Sequence, residues 1–257
     1  MIYVALRPRT LVAAGGAVLV SVALTGCGAD PSDAPAEHKS FALSGKTLTI
    51  HTDDSAVELV PADVESVQVT RRVDGWVFVG SGPEASWSMR DDTLSLKLKC
   101  SAVISNCSAR HQIKVPRGVS VIVKDDNGSV TAAGFDTPLK LRSANGKVTV
   151  RDSSGALDLN SDNGTINAEG VSSRQVTADS NNGEVRLSLT TVPDRVQSVS
   201  DNGSIEIALP KKPGLAYKVV THSSNGSTKV GVPTDDASRH SVTARSDNGR
   251  IIVRSAN

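Results

Sequence analysis

Aromatic residues are scarce: three Phe, two Tyr and two Trp make up 3% of the 257 residues. So few large rings cannot fill a thick globular core, and the apolar layer must be thin and built from Val, Ile, Leu and Ala. Cysteine is scarcer still at three residues, which excludes a disulfide-stapled scaffold and a structural zinc cluster. Neither sign of charge dominates. Setting aside Arg7 and Arg9, which lie in a segment read below as removed, 26 basic residues face 27 acidic ones, a net charge of −1. That balance excludes nucleic acid and a polybasic membrane contact as partners. No apolar run reaches the roughly 20 residues that a transmembrane helix requires.

Glycine next to asparagine, by contrast, is plentiful. Seven Asn-Gly pairs begin at Asn127, Asn145, Asn163, Asn182, Asn202, Asn225 and Asn248, spaced 18, 18, 19, 20, 23 and 23 residues apart. A period near twenty is the signature of a repeat architecture. Each pair sits between alternating apolar residues, as in Leu139, Leu141, Ser143, Asn145, Gly146, Val148 and Val150. Period-two patterning means strands with one buried face, and Asn-Gly supplies the corner because both residues tolerate positive φ. The unit is strand, corner, strand and a polar return such as Gly134-Phe135-Asp136-Thr137-Pro138.

Two folds satisfy this unit. An antiparallel β-meander or sandwich would place Val123 opposite Ala132 and Leu141 opposite Val150. A β-solenoid of 18–23-residue coils would stack Ser, Asn and Gly in columns about 4.8 Å apart. A meander needs a turn but not the same turn seven times, so the expectation is an all-β solenoid. Residues 41–116 remain β-patterned without the Asn-Gly beat: Thr47–His51, Val57–Val60, Val67–Thr70, Leu94–Leu98 and Ile113–Val115 alternate. These are expected to be irregular capping coils, with Gly80–Pro83 as a loop, continuous with the repeat coils of 117–257 in one domain.

The N-terminus reads as an address. Arg7 and Arg9 precede an apolar run of 14 residues, Leu11–Leu24, as in a secretory signal. The run ends in Leu24-Thr25-Gly26-Cys27, which resembles a bacterial lipobox. That resemblance implies a signal peptide of residues 1–26 and lipidation of Cys27, with palmitate among the acyl chains. Residues 28–40 are small, polar and proline-bearing, and are expected to be a flexible tether. Cys100 and Cys107 remain, and outside the cytoplasm they favour a disulfide that stiffens one loop by about 2 kcal/mol.

Motifs for chemistry are thin. Ser44-Gly45-Lys46-Thr47 resembles the end of a phosphate-binding loop, but the preceding glycine is missing and a strand follows where a helix should. His38, His51, His111, His222 and His240 fall in no nucleophile or metal motif. Asp126, Asp162, Asp201 and Asp247 precede Asn-Gly pairs and could form a calcium-binding column. Ala144, Asn181 and Ser224 interrupt it, and Asp before Asn-Gly is ordinary turn chemistry. Trp76 and Trp87 could be sugar-stacking platforms or part of a cap. No cofactor is implied.

The mature chain resembles the bacterial putative-adhesin domain family, β-solenoid proteins of unknown function on cell envelopes. The likeness is carried by Leu94-Ser95-Leu96, by Ile113-Lys114-Val115-Pro116-Arg117-Gly118-Val119 and by the Asn-Gly coils from Asn127. It implies a fold and an extracytoplasmic, lipid-anchored location, and supplies no catalytic residues. The expectation is a non-enzymatic surface-binding or structural lipoprotein contacting an envelope protein or glycan. A carbohydrate-binding or carbohydrate-active β-helix is the alternative, and an accessory lipoprotein of an envelope signalling system a third. The final strand, Arg250–Arg254, is expected to form an uncapped edge that gives weak self-association.

Overall fold

The computed structural model describes residues 31–77, 80–102 and 105–256. The stretch read as a signal peptide and Cys27 lie outside them. No helix among the described residues is long and apolar enough to cross a membrane.

In chain order the N-terminal part comprises β1 (Glu37–Phe41), β2 (Thr47–Thr52), β3 (Ser55–Ala62), β4 (Val67–Val77), β5 (Gly80–Arg90), β6 (Thr93–Ala102) and β7 (Ser105–Pro116). Two-strand coils follow: β8 (Ser120–Asp125) with β9 (Val130–Ala133), then β10 (Leu139–Ser143) with β11 (Val148–Arg151). Next are β12 (Leu157–Ser161) with β13 (Ile166–Val171), β14 (Gln175–Ser180) with β15 (Val185–Leu189), and β16 (Arg195–Ser200) with β17 (Ile205–Leu209). The last coils are β18 (Lys218–Ser223) with β19 (Thr228–Gly231), and β20 (Ser241–Ser246) with β21 (Ile251–Ser255).

The first strand of each coil joins one sheet and the second joins another. One sheet has 11 strands in the order β1-β4-β7-β3-β9-β11-β13-β15-β17-β21-β19, the other 10 in the order β18-β20-β16-β14-β12-β10-β8-β2-β6-β5. Within the coils the pairing is parallel and equivalent positions stack: Leu141 lies between Val123 and Leu159, and Val150 between Ala132 and Ala168. The fold is therefore a β-solenoid, and the meander register is excluded. Antiparallel pairing is confined to the N-terminal end, where β1 and β7 flank β4, and β5 pairs with β6.

The core is the expected thin layer. Leu48, Ile50, Val123, Leu141, Leu159 and Ala178 from one sheet face Leu59, Ala132, Val150, Ala168 and Leu187 from the other, all buried. Ion pairs between neighbouring coils decorate the outer faces, including Lys140–Asp158, Arg151–Glu169, Arg174–Asp194 and Arg254–Glu206.

Four expectations need correction. The stretch read as tether becomes strand at Glu37, because β1 completes the edge of β4. Gly80–Pro83 is the start of β5, with a register shift between Ser81 and Glu84. An edge strand tolerates Gly and Pro there, since its outer side needs no donors. The return containing Phe135 is not wholly polar, because Phe135 is buried. Finally, Ile251–Ser255 is not an edge: β20 and β21 insert between the coil of β16 and β17 and the coil of β18 and β19. The chain leaves a slot one coil wide after Leu209, builds the outermost coil, and returns to fill the slot.

Candidate functional site: a polar ladder along one corner

The Ser-x-Asn-Gly corners stack into three columns along one side of the solenoid, and each column has its own physical reason. Glycine is required by close approach. A Cβ on Gly146, Gly164, Gly183, Gly203, Gly249 or Gly226 would lie 1.7–2.1 Å from the carbonyl oxygen of the glycine one coil back. Serine satisfies those carbonyls: Ser143, Ser161, Ser180, Ser200, Ser246 and Ser223 each donate Oγ–H to one, at 2.7–3.2 Å. Asparagine forms an amide chain in which Nδ2 of each residue donates to Oδ1 of the next. It runs from Asn225 through Asn248, Asn202, Asn182, Asn163 and Asn145 to Asn127 in steps of 2.8–3.0 Å. Asn202 and Asn248 touch because of the inserted coil.

All seven amides point the same way, and a carboxylate terminates the chain: Asn127 Nδ2 donates to Asp54 Oδ1 at 2.9 Å. Thr52-Asp53-Asp54-Ser55 is thus an eighth corner, missed in the sequence because Thr52, Asp54 and Ser55 stand where the other corners have Ser, Asn and Gly. Its legible signal is the same framing, with Leu48 and Ile50 before it and Val57 and Leu59 after. Ser55 can replace glycine because it opens the glycine column. The next residue up cannot, since a Cβ on Gly128 would lie 2.0 Å from Ser55 O.

Asp125 occupies the serine position of the first full coil. Its Oδ2 accepts from Gly128 N at 2.7 Å and, at 2.9 Å, shares the single Ser143 hydroxyl proton with Gly128 O. Its Oδ1 lies 2.9 Å from where a Gly128 Cβ would be, as Ser161 Oγ lies 2.8 Å from that of Gly164. That is the place from which a hydroxyl donates to the carbonyl below, but an ionised carboxylate has no proton to give. Oδ1 is buried without a partner, as are Thr52 Oγ1 and Ser55 Oγ beside it. Burial pushes the Asp125 carboxyl up to about 6, against the hydrogen bonds from Ser143 and Gly128, with the charges of Asp126 and Asp54 adding to the rise.

The four candidate calcium residues do share one corner column. From the first coil outward it reads Asp126, Ala144, Asp162, Asn181, Asp201, Asp247 and Ser224. Its interruptions include donors: Asn181 Nδ2 reaches Asp162 Oδ1 at 3.3 Å, and Ser224 Oγ reaches Asp247 Oδ1 at 3.5 Å. No group of three or more His, Cys, Asp or Glu among the described residues is placed to hold a metal ion.

The remaining candidates are scattered. Cys100 and Cys107 are joined by a disulfide, with Cα atoms 6.5 Å apart. Together with Asp54, Ser55 and Asn127 it lines an open, mainly polar cavity of about 540 Å³ at the foot of the ladder. Trp76 and Trp87 are not brought together. Trp76 is 48% exposed. Trp87 packs on the core at the N-terminal end, edge-on to Phe41 at 6.4 Å and under the Arg71 guanidinium at 4.1 Å. Arg71 is also paired with Glu37. His111 is buried behind it, and burial, then the Arg71 charge, lowers its pKa to about 4. The phosphate-loop look-alike is already occupied, since Asp92 accepts from Ser44 N and Gly45 N at 2.8 and 2.7 Å.

A family model described as Toastrack DUF4097 matches residues 47–255. The chain belongs to this family. The Toastrack match opens at the first residue of β2 and closes at the last of β21, so it takes in every coil of the ladder. The resemblance to envelope β-solenoids is borne out at the level of family and fold. Among solved structures the chain is similar to a putative adhesin from Parabacteroides distasonis, at 11% identity, TM-score 0.47, covering 86% of this chain and 98% of that one. A putative adhesin from Bacteroides fragilis gives 12%, 0.46, 88% and 99%, and a putative cell adhesion protein from Clostridium sporogenes 11%, 0.38, 86% and 99%. No curated protein matches the chain.

Proposed function

We propose that this Toastrack chain is a lipid-anchored envelope protein with a non-catalytic role, a rigid rod that carries a binding surface outward from the membrane. The observation that carries the reading is the ladder. Its Asn side chains and its serines from Ser143 onward, residues an active site would draw on, are bonded from coil to coil, and only the foot of the ladder opens on a cavity. Such a stack is stiff along its axis and presents a long polar face. The lipobox-like Leu24-Thr25-Gly26-Cys27 supplies the anchor, attached at the end where β1, β4 and β5 gather.

Labelling cells with a palmitate analogue tests the anchor. The wild-type chain should take up label and sediment with membranes, and Cys27→Ala should do neither. A labelled Cys27→Ala chain would overturn the reading. A glycan-binding form of the proposal rests on Trp76, which is 48% exposed, more than on Trp87, which is partly buried with the Arg71 guanidinium over its ring. Trp76→Ala should then abolish retention on cell-wall glycan without lowering the melting temperature. An accessory part in an envelope signalling system is the same rod with a protein as its ligand.

A further inference from the structure

The foot of the ladder is where its hydrogen bonding does not close. Thr52 stands below Asp125 in the serine column, as Asp125 stands below Ser143. Both face the buried side, Thr52 being 2% and Asp125 4% exposed. Ser55, also 2% exposed, opens the glycine column. In the later corners the serine Oγ sits 2.6–2.9 Å from the Cβ position of the glycine in its own corner, and the same geometry sets Thr52 beside Ser55. Asp125 Oδ1 and Ser55 O lie 2.9 and 2.0 Å from one point, the place of a Gly128 Cβ. Thr52 Oγ1, Ser55 Oγ and Asp125 Oδ1 are all buried there without a partner.

Two acceptors held this close and shut away from water call for a positive group between them. A proton on Asp125 would answer its own Oδ1 and the carbonyl, but would leave both hydroxyls idle. A hydroxyl can turn its lone pairs toward a cation, so a small ion at this point engages all four oxygens. The surroundings favour one. The charges of Asp126 and Asp54 act on Asp125, and none of Asp53, Asp54, Asp125 and Asp126 forms an ion pair with a described residue. The open polar cavity lined by Asp54, Ser55, Asn127 and Gly128 gives access from solvent. Charge selects the class of ion. A single carboxylate is buried among neutral oxygens here, so a monovalent ion leaves the site neutral. Calcium would leave a buried positive charge and would lack the several carboxylates of its usual sites.

We propose that Asp125, Thr52 and Ser55 hold a dehydrated monovalent cation of the sodium or potassium class, which ties the first coil to the second where the ladder has no hydroxyl donor. The site stands apart from the interrupted column of Asp126, Asp162, Asp201 and Asp247, all of which are exposed. It is also independent of the rod and anchor reading.

Thermal melting of residues 28–257, which contain every described strand, tests this at about pH 8, where carboxylates are ionised, with choline chloride holding the ionic strength constant. Replacing choline by sodium or potassium should raise the wild-type melting temperature saturably, by about 2–6 °C at about five to ten times the dissociation constant. Asp125→Asn keeps the shape, removes the charge and should abolish the shift. Thr52→Val loses one hydroxyl and should raise the half-saturating concentration about fivefold, which decides the matter should Asp125→Asn fail to fold. Asp162→Asn, in the exposed column, should respond like the wild type. Equal melting in choline, sodium and potassium overturns the proposal and leaves a proton or a water as the partner of Asp125. So does a shift that persists unchanged in Asp125→Asn and Thr52→Val, which is a general salt effect. A shift given by calcium and by neither monovalent ion overturns it as well, in favour of a divalent site.

Discussion

At the scale of single residues the ladder gives different reasons for chemically similar positions. Gly183 is fixed by contact: its Cβ would sit 2.1 Å from Gly164 O, whereas a Cβ on Gly82 would meet nothing within 4 Å. Gly183→Ala should cost about 3 kcal/mol or more, because a backbone carbonyl must move, and Gly82→Ala should stay within about 0.5 kcal/mol of wild type. Urea denaturation of both variants checks the contrast. Asp125 is the residue whose protonation the structure makes consequential. Its folded pKa of about 6 lies above the 3.8 of a free carboxyl, so the folded state retains a proton that the unfolded chain has lost. Stability from that proton is full below about pH 4 and is lost as pH rises through 6, by about 3 kcal/mol at most. His111 acts in the other direction: held down at about 4 against 6.5, it withdraws stability as pH falls below 6.5. Asp125→Ser puts a hydroxyl where the ladder wants a donor. The variant should therefore gain on wild type between pH 4 and 7 in unfolding midpoint, while the acid-side loss due to His111 remains. A pH-independent difference would show that Asp125 stays ionised in the fold.

At the scale of elements, the amide chain should behave as a series of equal links. Asn182 donates to Asn163 and accepts from Asn202, whereas Asn225 at the tip only donates to Asn248. With about 0.5–1.5 kcal/mol per hydrogen bond, Asn182→Ala should destabilise roughly twice as much as Asn225→Ala in thermal or urea unfolding. Equal effects would mean that the amides contribute no rung-to-rung bonding. Much of this element-scale picture is legible in the sequence, because column stacking forces the same residue types to recur: the strands around each Asn-Gly, the parallel solenoid and the serine column all follow from the repeat. Three features are not legible, each for a physical reason. Thr52–Ser55 escapes because the first rung has no glycine beneath it and a carboxylate can terminate the amide chain. Gly80–Pro83 looks like a loop because an edge strand is released from the donor requirement. The excursion through β4 and β5 is set by which long strands can close the end of the solenoid, and no local pattern encodes that.

At the scale of the whole molecule, coil order is the least legible property and the one with the largest consequence. Coils that share one pattern can stack in any order, so sequence proximity alone favours placing the last coil at the end. The structure instead buries β20 and β21 on both sides and leaves β18 and β19 with one neighbouring coil. Amide hydrogen exchange should accordingly be slowest in β12 through β16 and fastest in β18 and β19, with β20 and β21 protected although they lie at the C-terminus. The exposed β18/β19 edge depends on this order. Engineered disulfides along the asparagine column test it most directly. Neighbouring coils lie about 4.8 Å apart, within reach of a disulfide, whereas coils two steps apart lie beyond the roughly 7 Å limit. Asn202→Cys paired with Asn248→Cys should oxidise readily within one chain, and Asn202→Cys paired with Asn225→Cys should stay reduced. The reverse result would place the coils in simple chain order and contradict the account.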